Sequence, residues 1–158
     1  MKLKYILLLP VVVLLAGCGT NKAATGGAVS DGMLVFDKEQ VWQLVAMQGR
    51  EVDKAHRKPS TEVLLMFHPE SATVRGRVAC NRYFADYKLQ KGKTTDAGTR
   101  YVLSVDYISG GDVQCPEGDM AIQDRYLALL DKADACLLTP YVLTLFQKDK
   151  EVLRFELQ

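Results

Sequence analysis

Val74-Arg75-Gly76-Arg77-Val78-Ala79-Cys80-Asn81-Arg82-Tyr83-Phe84 reads as a strand that passes through a glycine, reaches a cysteine and reverses at Asn81. Residues 73–79 have strand composition, and 83–89 resume the alternation of apolar and polar side chains, so the two segments pair as a hairpin. Asparagine suits the bend because it tolerates positive φ and its amide can hydrogen-bond the backbone of its own turn. Gly76 adds no side chain to packing, and its place inside a strand predicts a bulge or a close backbone approach.

Upstream, 62–67 form a further strand, stopped by the turn cluster His68-Pro69-Glu70-Ser71. Residues 48–60 are charged and contain Pro59, which suits a long loop or ragged hairpin connection. Residues 41–47 alternate, with Trp42, Leu44 and Ala46 on one face and Val41, Gln43, Val45 and Met47 on the other. Trp42, the only tryptophan, is expected to anchor the core. Downstream, 90–99 read as a polar loop, and 100–108 as a strand with Tyr101, Leu103, Val105 and Tyr107 on one face. Ser109-Gly110-Gly111-Asp112 breaks regularity before Cys115-Pro116. Helical spacing follows over 117–133, where Ile122, Tyr126, Leu129 and Ala133 form a stripe and Glu117 and Asp119 suit the helix start. Residues 141–146 and 152–157 close the chain as a hairpin that sets Leu143 and Leu145 against Leu153 and Phe155. The pattern predicts an α+β fold: a mostly antiparallel sheet, curled or forming a partial barrel, with one packed helix.

The N-terminus carries processing information. Lys2 and Lys4 precede an apolar run, 5–15, that is too short to cross a bilayer as a helix, as in an export signal. It ends in Leu15-Ala16-Gly17-Cys18, which resembles the lipobox of bacterial lipoproteins. That resemblance implies cleavage after Gly17 and acylation of Cys18 on its sulfur and its new amine; the competing reading is a plain secretory signal. Residues 1–17 are then the signal peptide, 18–36 a lipidated flexible tether and 37–158 the folded domain. Residues 19–32 are small and polar, while 33–36 are apolar enough to dock on the domain edge. Gly19, where an aspartate can act as an inner-membrane retention signal, makes the outer membrane the expected location, with the protein anchored in the cell envelope through its lipid. With 158 residues, 48% of them hydrophobic, the chain can build one ordinary core. Loss of Lys2 and Lys4 takes the formal charge from +1 to −1, which argues against a nucleic-acid partner.

Residues 77–84, followed by Tyr87, resemble the META domain of heat-shock-type (HslJ-like) bacterial lipoproteins, whose signature places a small residue before Cys-Asn-Arg, an aromatic position and a tyrosine. Trp42-Gln43-Leu44 is similar to that family's first strand, Cys115 to its second cysteine, Tyr126-Leu127 and Leu130 to its helix, and 141–155 to its last hairpin. Ala79 stands where the family often has glycine, Gly111-Asp112-Val113-Gln114 where it often has Thr-Arg-Met-Ala, and Gln123 where it has a helix glutamate. The resemblance implies the fold, an envelope location and a binding or stress-related role, and it implies no catalytic residues.

Three cysteines remain beside Cys18, and an oxidising compartment favours one disulfide among three pairings. The family pair, and the placement of both next to turns, point to Cys80 with Cys115. Cys136, in an apolar run, reads as a buried thiol. No Cys-x-x-Cys suggests redox catalysis, His56 and His68 are too far apart to suggest a metal site, and neither a nucleophile elbow nor a phosphate-binding loop is present. No cofactor is expected, and the protein reads as non-enzymatic. The candidate binding surface is Arg75, Arg77 and Arg82, beside Tyr83 or Tyr87, facing an acidic peptide or glycan; the bland alternative pairs these arginines with nearby acids. A second reading is a pilot-like protein that holds a lipid or peptide in an apolar groove on the concave face of the sheet.

Overall fold

The computed structural model describes residues 40–53, 57 and 61–158. The signal peptide, Cys18, the tether, residues 37–39 and His56 lie outside the described residues. Among the described residues nine strands run in the order β1 (Val41–Met47), β2 (Arg50–Glu51), β3 (Leu64–His68), β4 (Thr73–Val78), β5 (Asn81–Thr95), β6 (Gly98–Gly110), β7 (Ala135–Leu138), β8 (Val142–Gln147) and β9 (Lys150–Leu157). The α-helix of the described residues, α1 (Glu117–Asp131), lies between β6 and β7. Every strand pairing is antiparallel, each of β3 to β8 pairs with the next, and β1 pairs with both β3 and β9. The sheet is therefore an eight-stranded closed barrel, with β2 a short flap on β1, rather than the open curl that a pattern of strands alone suggests.

Alternation places one side of each strand inside. Trp42, Leu44, Leu65, Leu143, Leu145 and Phe155 are almost fully excluded from solvent, and the expected facing pairs form, Leu143 with Phe155 and Leu145 with Leu153. A small barrel is filled by side chains in this way. The concave side is thus core, which counts against a ligand groove within it. The helix contacts β4, β6 and β9, strands spaced around the ring, so it covers one open end of the barrel instead of lying along its outer wall. Its buried face is Gln123, Tyr126, Leu129 and Leu130, while Ile122 is only partly covered. Tyr126 reaches inside to pack edge-on against Tyr83 and Phe155, with ring centroids 5.5 and 6.4 Å away.

Three expectations change. Residues 90–99 are strand, not loop: β5 and β6 continue as a long ribbon to a turn at Asp96-Ala97. A bulge in β1 between Leu44 and Ala46 absorbs one residue, so Met47 joins Trp42 and Leu44 in the core. A second irregularity, between the pairs Phe84–Ser109 and Asp86–Asp106, turns Tyr107 outward at φ 55° and 84% exposure, and Ile108 takes the place against the core.

Candidate functional site

The hairpin quoted at the outset is closed by two residues, Ala79 and Cys80, between the paired Val78 and Asn81. Positive φ falls on Ala79 (52°), not on Asn81. Asn81 is buried and its amide leaves its own turn. Nδ2 donates to the Val113 carbonyl and to Gln123 Oε1, both at 2.9 Å, while Oδ1 accepts from the Val113 N–H at 3.1 Å. Beside it the Cys80–Cys115 disulfide is formed, with the Cα atoms 5.8 Å apart, and Cys136 is a buried free thiol. Burial pushes the Cys136 thiol up to about 12, with Arg100 pulling the other way. The Cys-Asn pair thus fastens the β4–β5 hairpin to the segment that leads into the helix.

Gly76 shows close approach without a bulge. It stands directly across from Tyr83, whose hydroxyl donates to the Leu64 carbonyl at 2.9 Å. That uses the only proton of Tyr83, so Tyr126 donates to the Tyr83 oxygen at 2.5 Å. Burial raises both phenols, and each stays neutral across the physiological range.

Outside the barrel, register sorts the other side chains into rows. Leu64, Arg77 and Arg82 form one row across β3, β4 and β5; Met66, Arg75 and Phe84 form the next. Arg75 and Arg77 therefore share a face, and Arg82 joins them. Tyr83 and Tyr87 do not: they are 2% and 8% exposed and point into the core, Tyr87 edge-on to Phe67 with centroids 5.0 Å apart. The aromatic on the arginine face is Phe84, 57% exposed. Sequence held the signal for this, since Phe84 has the parity of Arg82 and Tyr83 does not. Leu64 and Met66, the apolar flank of the face, carried no such signal.

Arg77 and Arg82 are directly opposed, an arrangement that costs stability unless something compensates. Glu62 does so for Arg77, pairing with its Nη2. Neither Arg75 nor Arg82 has an acidic partner among the described residues, so for these two the paired-surface reading does not apply. With Gly110 and Gly111 the six residues of the two rows line a groove of about 970 Å³ open to solvent. Its chemistry is that of cationic and apolar recognition: guanidinium donors, an exposed ring and a thioether, with no nucleophile and base in hydrogen-bonding contact among the residues that line it. No group of three or more His, Cys, Asp or Glu side chains among the described residues is arranged to hold a metal ion.

The fold has relatives. A solution structure of a protein from Burkholderia xenovorans superposes with a TM-score of 0.57 at 22% identity, over 77% of this chain and 83% of that one. A second solution structure gives 0.48 at 18% identity, over 75% and 89%. No curated protein matches the chain. Residues 34–158 match the META domain, which takes in the signature hairpin, the helix and every strand of the barrel. The chain belongs to the META domain family.

Proposed function

We propose that this META-domain protein is a non-enzymatic lipoprotein of the cell envelope, anchored through Cys18, that receives an anionic envelope component on the outer face of β3, β4 and β5. The observation that carries the binding reading is the pair Arg75 and Arg82, exposed beside Phe84 and without acid partners among the described residues, in a protein whose barrel interior is filled. Anchoring is supported by the run from Lys2 to Cys18. Acyl chains at about 0.8 kcal/mol per buried methylene make release from a membrane negligible.

Two measurements on the full chain in cells test this. Cys18→Ser is expected to move the protein from the membrane to the soluble fraction; a variant that still pellets with membranes removes the anchor. A photo-crosslinker at position 84 should capture material that Arg75→Glu with Arg82→Glu abolishes, while one at Val102, exposed on β6 across from Gln90 and away from the groove, captures none of it. Equal labelling from both positions overturns the assignment of the face.

A further inference from the structure

We infer that the face formed by Arg75, Arg82, Phe84 and Met66 lies against the anionic phospholipid headgroups of the bilayer that holds the protein's own acyl chains. This rests on the proposed anchor at Cys18 and names the component that the face receives.

The chain enters the domain at the border of this face. Val41, the first residue of β1, is paired with Met66, which lines the groove, and both belong to the outward parity of their strands. The described chain therefore enters the barrel, at Gln40 and Val41, beside the arginine rows and not on the opposite wall, and 23 residues run from Cys18 to Gln40. A linker of that length holds the domain at a high effective concentration near the lipid surface, where weak headgroup contacts are enough to orient it.

The chemistry of the face fits a lipid surface. Two guanidinium groups are left for phosphate oxygens, which they match as planar donors. Phe84 stands between them in the grid and, with the half-buried Leu64 and Met66, supplies apolar surface for the headgroup boundary. The bulge that turns Tyr107 outward adds a second exposed aromatic from the neighbouring β6, and amphipathic rings favour that depth. The acids nearest in register do not cancel the charge: Glu62 is taken by Arg77, and Asp86 lies one row beyond, across from Thr73. An extended acidic peptide fits less well. In this region β4 is paired with β3 and β5, Leu64, Leu65 and Met66 of β3 with β1 and β4, and Tyr83, Phe84 and Asp86 of β5 with β4 and β6, while the Arg82 carbonyl accepts from the Gly111 N–H, so the groove offers no free strand edge. The mature chain's formal charge near zero makes the asymmetry local, which orients a tethered domain without attracting polyanions at large.

The test uses the full lipidated chain carrying Phe84→Trp in vesicles whose phospholipid tails are brominated near the headgroup, so that bromine quenches a ring at the interface. Phosphatidylcholine vesicles are compared with vesicles that also contain phosphatidylglycerol. Quenching above that of the chain with Phe84 intact, whose buried Trp42 sets the background, is expected only with phosphatidylglycerol. It should fall at high salt, and Arg75→Glu with Arg82→Glu should lower the bound population about tenfold. Lys91→Glu with Lys93→Glu, an equal charge change on the β5–β6 ribbon, should leave it unaltered. Equal loss from both pairs of reversals overturns the proposal in favour of diffuse attraction. Absence of quenching on phosphatidylglycerol also overturns it; crosslinking at position 84 to an acidic protein in cells would then leave the face a binding surface for a different partner. Failure of Cys18 to carry acyl mass is read separately, by mass spectrometry of the same preparation, and would remove the anchor itself.

Discussion

A methyl group at Gly76 would stand 2.0 Å from the Leu64 carbonyl oxygen and 2.5 Å from the Tyr83 hydroxyl, so no other residue fits without undoing the hydrogen bond that links β5 to β3 across β4. Gly76→Ala should cost about 3 kcal/mol or more, because the Leu64 carbonyl and the Tyr126 hydroxyl lose their partner in a buried site. Denaturant unfolding should show this, and a loss below 1 kcal/mol would mean the Tyr83 contacts are dispensable. Asn81 is the other residue whose replacement is severe. Asn81→Ala leaves Gln123 Oε1 and the Val113 backbone groups without their bonds, a cost of about 3 kcal/mol. Asn81→Asp should cost at least as much, since the donors are lost and a carboxylate is set against two acceptor oxygens. In the motif Cys80-Asn81-Arg82, the first two residues serve the fold and Arg82 is left for the surface. Sequence made the residue types visible and misplaced their use: the polar amide was read as local turn chemistry, whereas its partners stand 32 and 42 positions away.

The strands themselves were largely legible, because a half-buried strand must alternate. What the alternation could not carry was a change of phase. The bulges after Leu44 and after Phe84 each shift one strand by a residue, and every side chain beyond them switches face. That is why Met47 and Tyr107 were placed on the wrong side. The ribbon from 90 to 99 was missed for a different reason: most of its side chains meet water, so it lacks an apolar face and is held by backbone pairing to β6. Between β6 and β7 the lead-in to the helix is held by two independent fasteners, the disulfide and Asn81. Closing a loop of 35 residues contributes about 4 kcal/mol in the chain-entropy picture. Cys80→Ser with Cys115→Ser should therefore lower stability by roughly 3–4 kcal/mol while the Val113 amide stays protected from hydrogen exchange, because it still donates to Asn81 Oδ1. Adding Asn81→Ala should expose that amide. If it exchanges freely in the double serine variant alone, the disulfide is the sole fastener.

Closure of the barrel belongs to the whole molecule, and no local pattern announces it: β1 and β9 are the first and last strands, and only their pairing removes the sheet edges. A chain ending at Asp149 should accordingly fail to fold, since β9 is a neighbour of both β1 and β8. The same closed interior sets the response to alkali. Cys136, Tyr83 and Tyr126 are acids that burial holds neutral, so above their ordinary values the unfolded chain releases protons that the fold retains, and stability falls as pH rises. The decline begins near pH 9 with the thiol, at about 1.4 kcal/mol per pH unit, and steepens above pH 10 as the two phenols join it. The losses act in the same direction, so unfolding is expected in alkali once the phenols join the thiol. Cys136→Ala isolates the first step. It creates a small cavity and lowers stability at neutral pH, yet between pH 9 and 10 its stability should fall less steeply than that of the parent chain, because only the phenols remain to release protons on unfolding. Parallel curves for the two chains over that interval would show that the thiol ionises in the fold as readily as in the unfolded chain, and that the core around β7 admits water.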